Sequence, residues 1–150
     1  MSDSVFVDTN VLVHARDAAV PEKQERAAGW IEHLWRTRAG RLSYQVLNEY
    51  YVTVTAKLRP GMKPAEGRAD VRALLAWAPV SGSPEQLEAA WHLQDSFSVS
   101  WWDAQIVAAA QLAGCSVLLT EDLQHGQRFG DVQVRSPFLA SPDEVRNGER

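Results

Sequence analysis

The stretch SVFVDTNVLVHA, residues 4–15, carries the reading of the whole chain. Val5, Phe6 and Val7 form a short β-branched and aromatic run. Such a run suits a buried parallel strand better than a helix, because polar turn formers end it at once. Those turn formers are Asp8, Thr9 and Asn10, and beyond them apolar residues resume as the opening of a helix. The Asp8 carboxylate then has two uses. It can cap the helix by accepting from free backbone N–H groups, or it can be the first member of a site completed from farther along the chain.

The remaining elements follow from periodicity and punctuation. Ala27, Trp30, Ile31, Leu34 and Trp35 recur at helical spacing between Glu22 and Arg38, which predicts an amphipathic helix stopped by Gly40. RLSY (41–44) reads as a second short strand, and QVLNEYYVTVTAKL (45–58) as a helix with apolar residues at 46, 47, 50, 51, 54 and 58. RPGMKP (59–64) breaks the chain, and a helix from about Ala65 to Trp77 follows. APV (78–80) fits a third strand, and Ser83, Pro84 and Glu85 open a helix that ends near Phe97. WWDAQIVAAAQLAG (101–114) is helical with a glycine stop, SVLLT (116–120) is a buried strand, and VQVR (132–135) is the last. Short apolar strands alternating with helices predict an α/β/α layered domain on a mainly parallel sheet. One domain spans 1–150, with a tail from about residue 141 of flexible composition.

Composition narrows the function classes. Hydrophobic residues at 45% and charged residues at 23% are those of an ordinary globular protein. No basic segment leads into a long apolar stretch near Met1, so the expectation is a cytoplasmic protein without a membrane helix. Cys115 is the only cysteine, which excludes an internal disulfide and a cysteine metal cage, and its setting LAGCSVLL (112–119) predicts an inert buried thiol. His14, His33, His92 and His125 lack zinc spacing, and no GxSxG elbow is present. The net charge of −4 argues against a basic face for phosphate backbones. That argument reverses if four carboxylates are set aside to hold a divalent cation, because the remainder is then neutral.

Four acids repeat one placement. Asp8 ends the first strand, Glu49 lies in the first turns of the helix after RLSY, Asp103 begins the helix at 101, and Asp122 lies just past SVLLT. In parallel α/β sheets, chemistry sits at the carboxyl ends of the strands, so the four can converge on one edge. Singly, each has a plainer explanation as a cap, a helix-dipole partner or a solvated residue. Jointly, each is flanked by apolar residues rather than by a charged stretch. Hard cations such as Mg²⁺ and Mn²⁺ take oxygen ligands of this kind.

With these residues in place, the chain resembles the PIN-domain ribonucleases and, within them, the VapC-like toxins of bacterial toxin–antitoxin pairs. The resemblance is carried by FVDTNVLVHA (6–15), LSYQVLNEYYVTVTAKL (42–58) and FSVSWWDAQIVAAAQLAGCSVLLTEDLQHGQRFGDVQVRSPF (97–138), in that order. It implies a three-layer α/β/α fold with a five-stranded, mainly parallel sheet of order 3-2-1-4-5, so that the strands bearing Asp8 and Asp122 are neighbours. It further implies that Asp8, Asp103 and Asp122 hold Mg²⁺ or Mn²⁺. Glu49 would act as a water-bridged ligand or general base, and Asn10 and Thr120 as supports. The activity implied is endoribonucleolytic, with RNA as substrate and with a cognate antitoxin and a second copy of the chain as partners.

Other residues invite roles. Trp30 and Trp35 share an amphipathic helix and fit either core or interface; adjacent Trp101 and Trp102 cannot both enter one core, so one can face a substrate base. Arg16, Lys57, Arg59 and Arg128 are candidate phosphate contacts, and His125 reads as a loop residue. A phosphoaspartate receiver would need an acidic pair after the first strand, and a haloacid-dehalogenase-type phosphatase a second Asp where Asn10 stands. A non-catalytic PIN-like module that binds RNA or protein, and a structure-specific DNA nuclease, are the remaining alternatives.

Overall fold

The structure, a computed structural model, describes residues 3–144. The chain runs β1 (Val5–Val7), α1 (Thr9–His14), α2 (Pro21–Thr37), β2 (Gly40–Arg41) and α3 (Tyr44–Val52), which continues into a π-helical turn, Thr53–Lys57. There follow α4 (Pro64–Leu74) with a 3₁₀ turn at Leu75–Trp77, α5 (Pro84–Ser96), α6 (Trp101–Leu112), β3 (Val117–Leu119), β4 (Arg128–Phe129) and β5 (Val132–Arg135). Ser43, Ser83 and Ser100 cap α3, α5 and α6, each hydroxyl accepting from a backbone N–H three residues on.

The strands form one sheet in the order β2-β1-β3-β5-β4. β2, β1, β3 and β5 are parallel, and β4 pairs antiparallel with β5. Every residue of β1 and β3 is buried, as parallel strands covered on both faces require. The expected order is present. The strand anticipated at 78–80 contracts to a single parallel bridge between Ser43 and Val80, beside β2 as expected. β4 was not anticipated; Gly130, with φ of 61°, and Asp131 make the two-residue turn that folds it onto β5.

The stop of α2 also differs from expectation. Arg38, with φ of 58°, takes the left-handed position, and Gly40 lies inside β2. A Cβ on Gly40 would stand 2.6 Å from the Trp77 ring, so packing rather than helix capping requires glycine there.

The core lies on both sides of β1 and β3 and includes Phe6, Val7, Val11, Leu34, Val46, Val107, Leu118, Leu119 and Phe129. α6 is buried along Ala104 and Ile106–Ala110, which its alanines permit by letting the helix lie close to the sheet. Trp30 is in the core and donates to the Ala140 carbonyl at 3.0 Å, whereas Trp35 is 40% exposed and meets Trp77 edge-on. Trp101 stacks on Trp91, and Trp102 is 66% exposed. The expected tail is described only to Glu144, whose Oε1 accepts from Ser141 Oγ; 145–150 lie outside the described residues. No helix among the described residues is long and apolar enough to cross a membrane.

Candidate active site

β1 and β3 build the site. Their register pairs Val7 with Leu119, and the next residues, Asp8 and Thr120, leave the two strands side by side at the carboxyl edge. The ladder holds both: Asp8 N donates to Leu119 O at 3.1 Å and Thr120 N to Arg135 O at 3.0 Å. Asp8 then divides its oxygens. Oδ1 accepts from Thr9 N at 2.7 Å and so caps α1, while Oδ2 accepts from the Thr120 hydroxyl at 2.9 Å. Capping and site membership coexist in one side chain.

Asn10, in the first turn of α1, joins the two acids that β1 and β3 deliver. Its Nδ2 donates to Thr120 Oγ1 at 2.9 Å and to Asp122 Oδ2 at 3.1 Å, with Asp8 Oδ2 at 3.4 Å. Its Oδ1 accepts from Glu121 N at 3.2 Å, and Thr120 Oγ1 accepts from Asp122 N at 3.1 Å. Glu49, exposed on α3, approaches through Thr9, whose hydroxyl lies 3.5 Å from Oε1. Asp103 occupies the first turn of α6, where its N–H donates to Ser100 Oγ at 3.1 Å. Because α6 runs back to β3 through a short connection, its start lies at the carboxyl edge. Among the described residues, Asp103 shares no hydrogen bond with the other five.

Burial raises the Asp8 carboxyl to about 6; hydrogen bonds from Thr9 and Thr120 offset part of this, and the charges of Asp122 and Glu49 add to it. A buried carboxylate beside further carboxylates lacks a positive counterpart. Among the described residues, no Lys or Arg forms an ion pair with Asp8, Glu49, Asp103 or Asp122.

The sequence model of the PIN domain matches residues 5–128. The chain belongs to the PIN-domain family. Solved structures similar to this PIN domain include VapBC2 from Rickettsia felis bound to a DNA fragment from its promoter, at TM-score 0.59 and 14% identity over 88% of this chain and 97% of that one. VapC20 of Mycobacterium tuberculosis, a sarcin-ricin-loop-cleaving toxin, gives TM-score 0.55 and 22% identity over 77% and 87%. A toxin–antitoxin complex from Klebsiella pneumoniae gives 0.54 and 18% over 86% and 95%. At these identities the likeness is one of fold. No curated protein matches the chain.

A PIN-domain nuclease implies a divalent cation, and the donor chemistry here suits one. The groups at the edge are oxygen donors, and the buried Asp8 carboxylate gains from a cation. The spacing stops short of a closed cage: among the described residues, no group of three or more His, Cys, Asp or Glu side chains stands ready to hold a metal ion. The structure therefore brings Asp8, Asn10, Thr120 and Asp122 into one hydrogen-bonded group, sets Glu49 at its margin, and leaves Asp103 outside its hydrogen bonds.

The other candidates are placed as follows. Arg16 pairs with Asp70 at 2.9 and 2.5 Å, and Tyr50 OH donates to the same carboxylate at 2.5 Å. These residues, with Leu12, Ile31 and Trp35, line an apolar groove of about 400 Å³ that none of the six residues proposed from the sequence borders. Arg59 donates to backbone carbonyls, Arg128 reaches Gln133, and Lys57 is exposed. His125 Nδ1 accepts from Ser136 N at 2.9 Å, a loop brace as expected. What the sequence did not signal is Glu121, whose carboxylate is held by Lys23 and His14. A lysine 98 residues away carries no local trace of that contact.

Proposed function

We propose that this PIN domain is a metal-dependent endoribonuclease, the toxin of a toxin–antitoxin pair. The observation that carries the reading is the pairing of Asp8 with Asp122 through Asn10 and Thr120 at the carboxyl edge of neighbouring parallel strands. On this reading Asp8, Asp103 and Asp122 hold Mg²⁺ or Mn²⁺, which when bound supplies positive charge for the phosphate oxygens and acidifies water. Glu49, exposed at the margin, accepts a proton from the attacking water. Asn10 and Thr120 fix the directions of the Asp8 and Asp122 oxygens, as outer partners of ligating carboxylates do. Ser100 orders the turn of α6 that presents Asp103.

The proposed partners follow the neighbours: an antitoxin, as in the Klebsiella and Rickettsia complexes, and an RNA substrate, as for the sarcin-ricin-loop-cleaving toxin. A second copy of the chain is proposed as well, with the exposed aromatics Trp35, Trp91 and Trp102 as apolar surface for such contacts. The reading is tested by incubating the purified chain with RNA and with DNA of matched sequence, in Mg²⁺, in Mn²⁺ and in chelator. Cleavage of RNA in metal alone is expected. Cleavage of DNA in preference to RNA, cleavage that survives chelation, or no cleavage of either would overturn it.

A further inference from the structure

Glu121 lies between two residues of the acidic group, yet its side chain takes the other direction. Oε1 accepts from Lys23 Nζ at 2.9 Å, and Oε2 meets His14 Nε2 in a short hydrogen bond. Because a carboxylate only accepts, His14 donates through Nε2. The two partners come from α1 and α2, and both pack on one ring: Lys23 Nζ sits 4.8 Å from the centre of Phe138, and His14 meets that ring edge-on at 5.2 Å. Phe138 belongs to the segment after β5, which α2 fastens through Arg26, donating to the Pro137 and Ala140 carbonyls, and through Trp30. Burial acts to raise the Glu121 carboxyl, but the hydrogen bonds and charges of Lys23 and His14 prevail and hold it below the ordinary carboxylate range. The ionised form is the one the structure grips.

The backbone around Glu121 carries the site. Thr120 and Asp122 face Asp8 and Asn10, and the Glu121 N–H donates to Asn10 Oδ1. Side chains that alternate across a short turn have one rotation in common. A grip on the Glu121 side chain therefore restrains the rotation of the backbone that carries Asp122. The same grip keeps a further carboxylate out of a group that already raises Asp8 by its charge.

We propose that Glu121, held by Lys23 and His14, is a positioning residue that fixes the 120–122 turn and so aims Asp122 at Asp8; its consequence for metal and cleavage rests on the nuclease reading above. It touches no substrate. The test compares Glu121→Ala, Lys23→Met and Lys23→Arg with the natural protein by amide hydrogen exchange, by Mn²⁺ titration calorimetry and by RNA cleavage. The Glu121→Ala and Lys23→Met proteins are expected to melt near the natural protein, since half-exposed ion pairs contribute little to global stability. Exchange at the amides of residues 121 and 122 should quicken in both, while the Phe6 and Leu118 amides of the core strands stay protected. Mn²⁺ affinity should fall by about tenfold in Glu121→Ala and in Lys23→Met, with kcat reduced and KM for RNA unchanged, whereas Lys23→Arg, which keeps a cation on Glu121, should retain the affinity and kcat of the natural protein. Unchanged exchange at residues 121 and 122 in Glu121→Ala, or equal behaviour of Lys23→Met and Lys23→Arg, overturns the proposal. Quickened exchange in a protein whose natural form neither binds Mn²⁺ nor cuts RNA supports the positioning role and overturns the nuclease reading instead.

Discussion

At the scale of single residues, Asp8 sets the terms. It is 8% exposed, and its two oxygens serve a helix cap and a hydroxyl from the next strand. The cost is electrostatic: a carboxyl raised from 3.8 to about 6 holds its proton more tightly folded than unfolded. Stability without metal is therefore fullest below about pH 4 and is lost as pH rises through about 6, the total being on the order of 3 kcal/mol. Asp8→Asn keeps the shape and removes the charge. By thermal melting in chelator it is expected to exceed the natural protein at pH 7.5 and to match it at pH 4; equal melting at both would contradict the burial penalty. Asp8 and Asp122 could be placed together from sequence because each follows an apolar strand at its carboxyl end, a placement that survives without coordinates, whereas Asp103 opens a helix preceded by α5 and Glu49 lies within α3. Their hydrogen bonds were not, since whether Asn10 caps a helix or spans two acids depends on the register of β1 against β3. Glu121 was illegible for the same reason, as its partners lie on other elements.

Among the elements, glycines separate what packing demands from what propensity prefers. Gly40 is in β2 with the Trp77 ring where its Cβ would go, and Gly29 is in α2 with nothing within 4 Å of that position. Gly40→Ala should lower stability by about 1–3 kcal/mol through overpacking. Gly29→Ala should raise it by about 0.5–1 kcal/mol through reduced backbone entropy in the unfolded chain. Denaturant midpoints with an unchanged slope read both, and a neutral Gly40→Ala would contradict the packing of Trp77 on β2. The helices were largely readable: α5 begins after Ser83 and α6 after Ser100 because their hydroxyls take up free N–H groups. The stop of α2 was misread because Arg38 adopts a conformation for which glycine is the usual signal. β4 escaped notice although Gly130 and Asp131 mark its turn, because two residues are too few for a periodic signal.

For the molecule as a whole, the order of the sheet matters more than the length of any strand. Setting β1 beside β3 makes neighbours of residues 112 apart in sequence, Asp8 and Thr120, and this is what turns scattered acids into a group. That order was implied by the family resemblance alone; the alternation of strands with helices implied only a mainly parallel, layered sheet. The same close packing raises two other protons. Burial pushes the Cys115 thiol up to about 12, and burial with the hydrogen bond to Asp70 raises the Tyr50 hydroxyl. The unfolded chain releases these protons at lower pH, so stability should fall from about pH 9 upward. Melting temperatures from pH 8 to 10.5 check this, and Cys115→Ala should flatten part of the slope; an identical slope would contradict the burial of the thiol.

The central claim is that the charge of the acidic edge drives cleavage and is not needed for the fold. It is tested most directly by the RNA cleavage rate of Asp8→Asn beside that of the natural protein, in Mn²⁺ at pH 7.5, with the melting temperature of each measured in the same buffer. A loss of about a thousandfold, equivalent to about 4 kcal/mol of barrier, is expected in a protein that still melts cooperatively. An Asp8→Asn protein that folds and cuts RNA at the natural rate would contradict it.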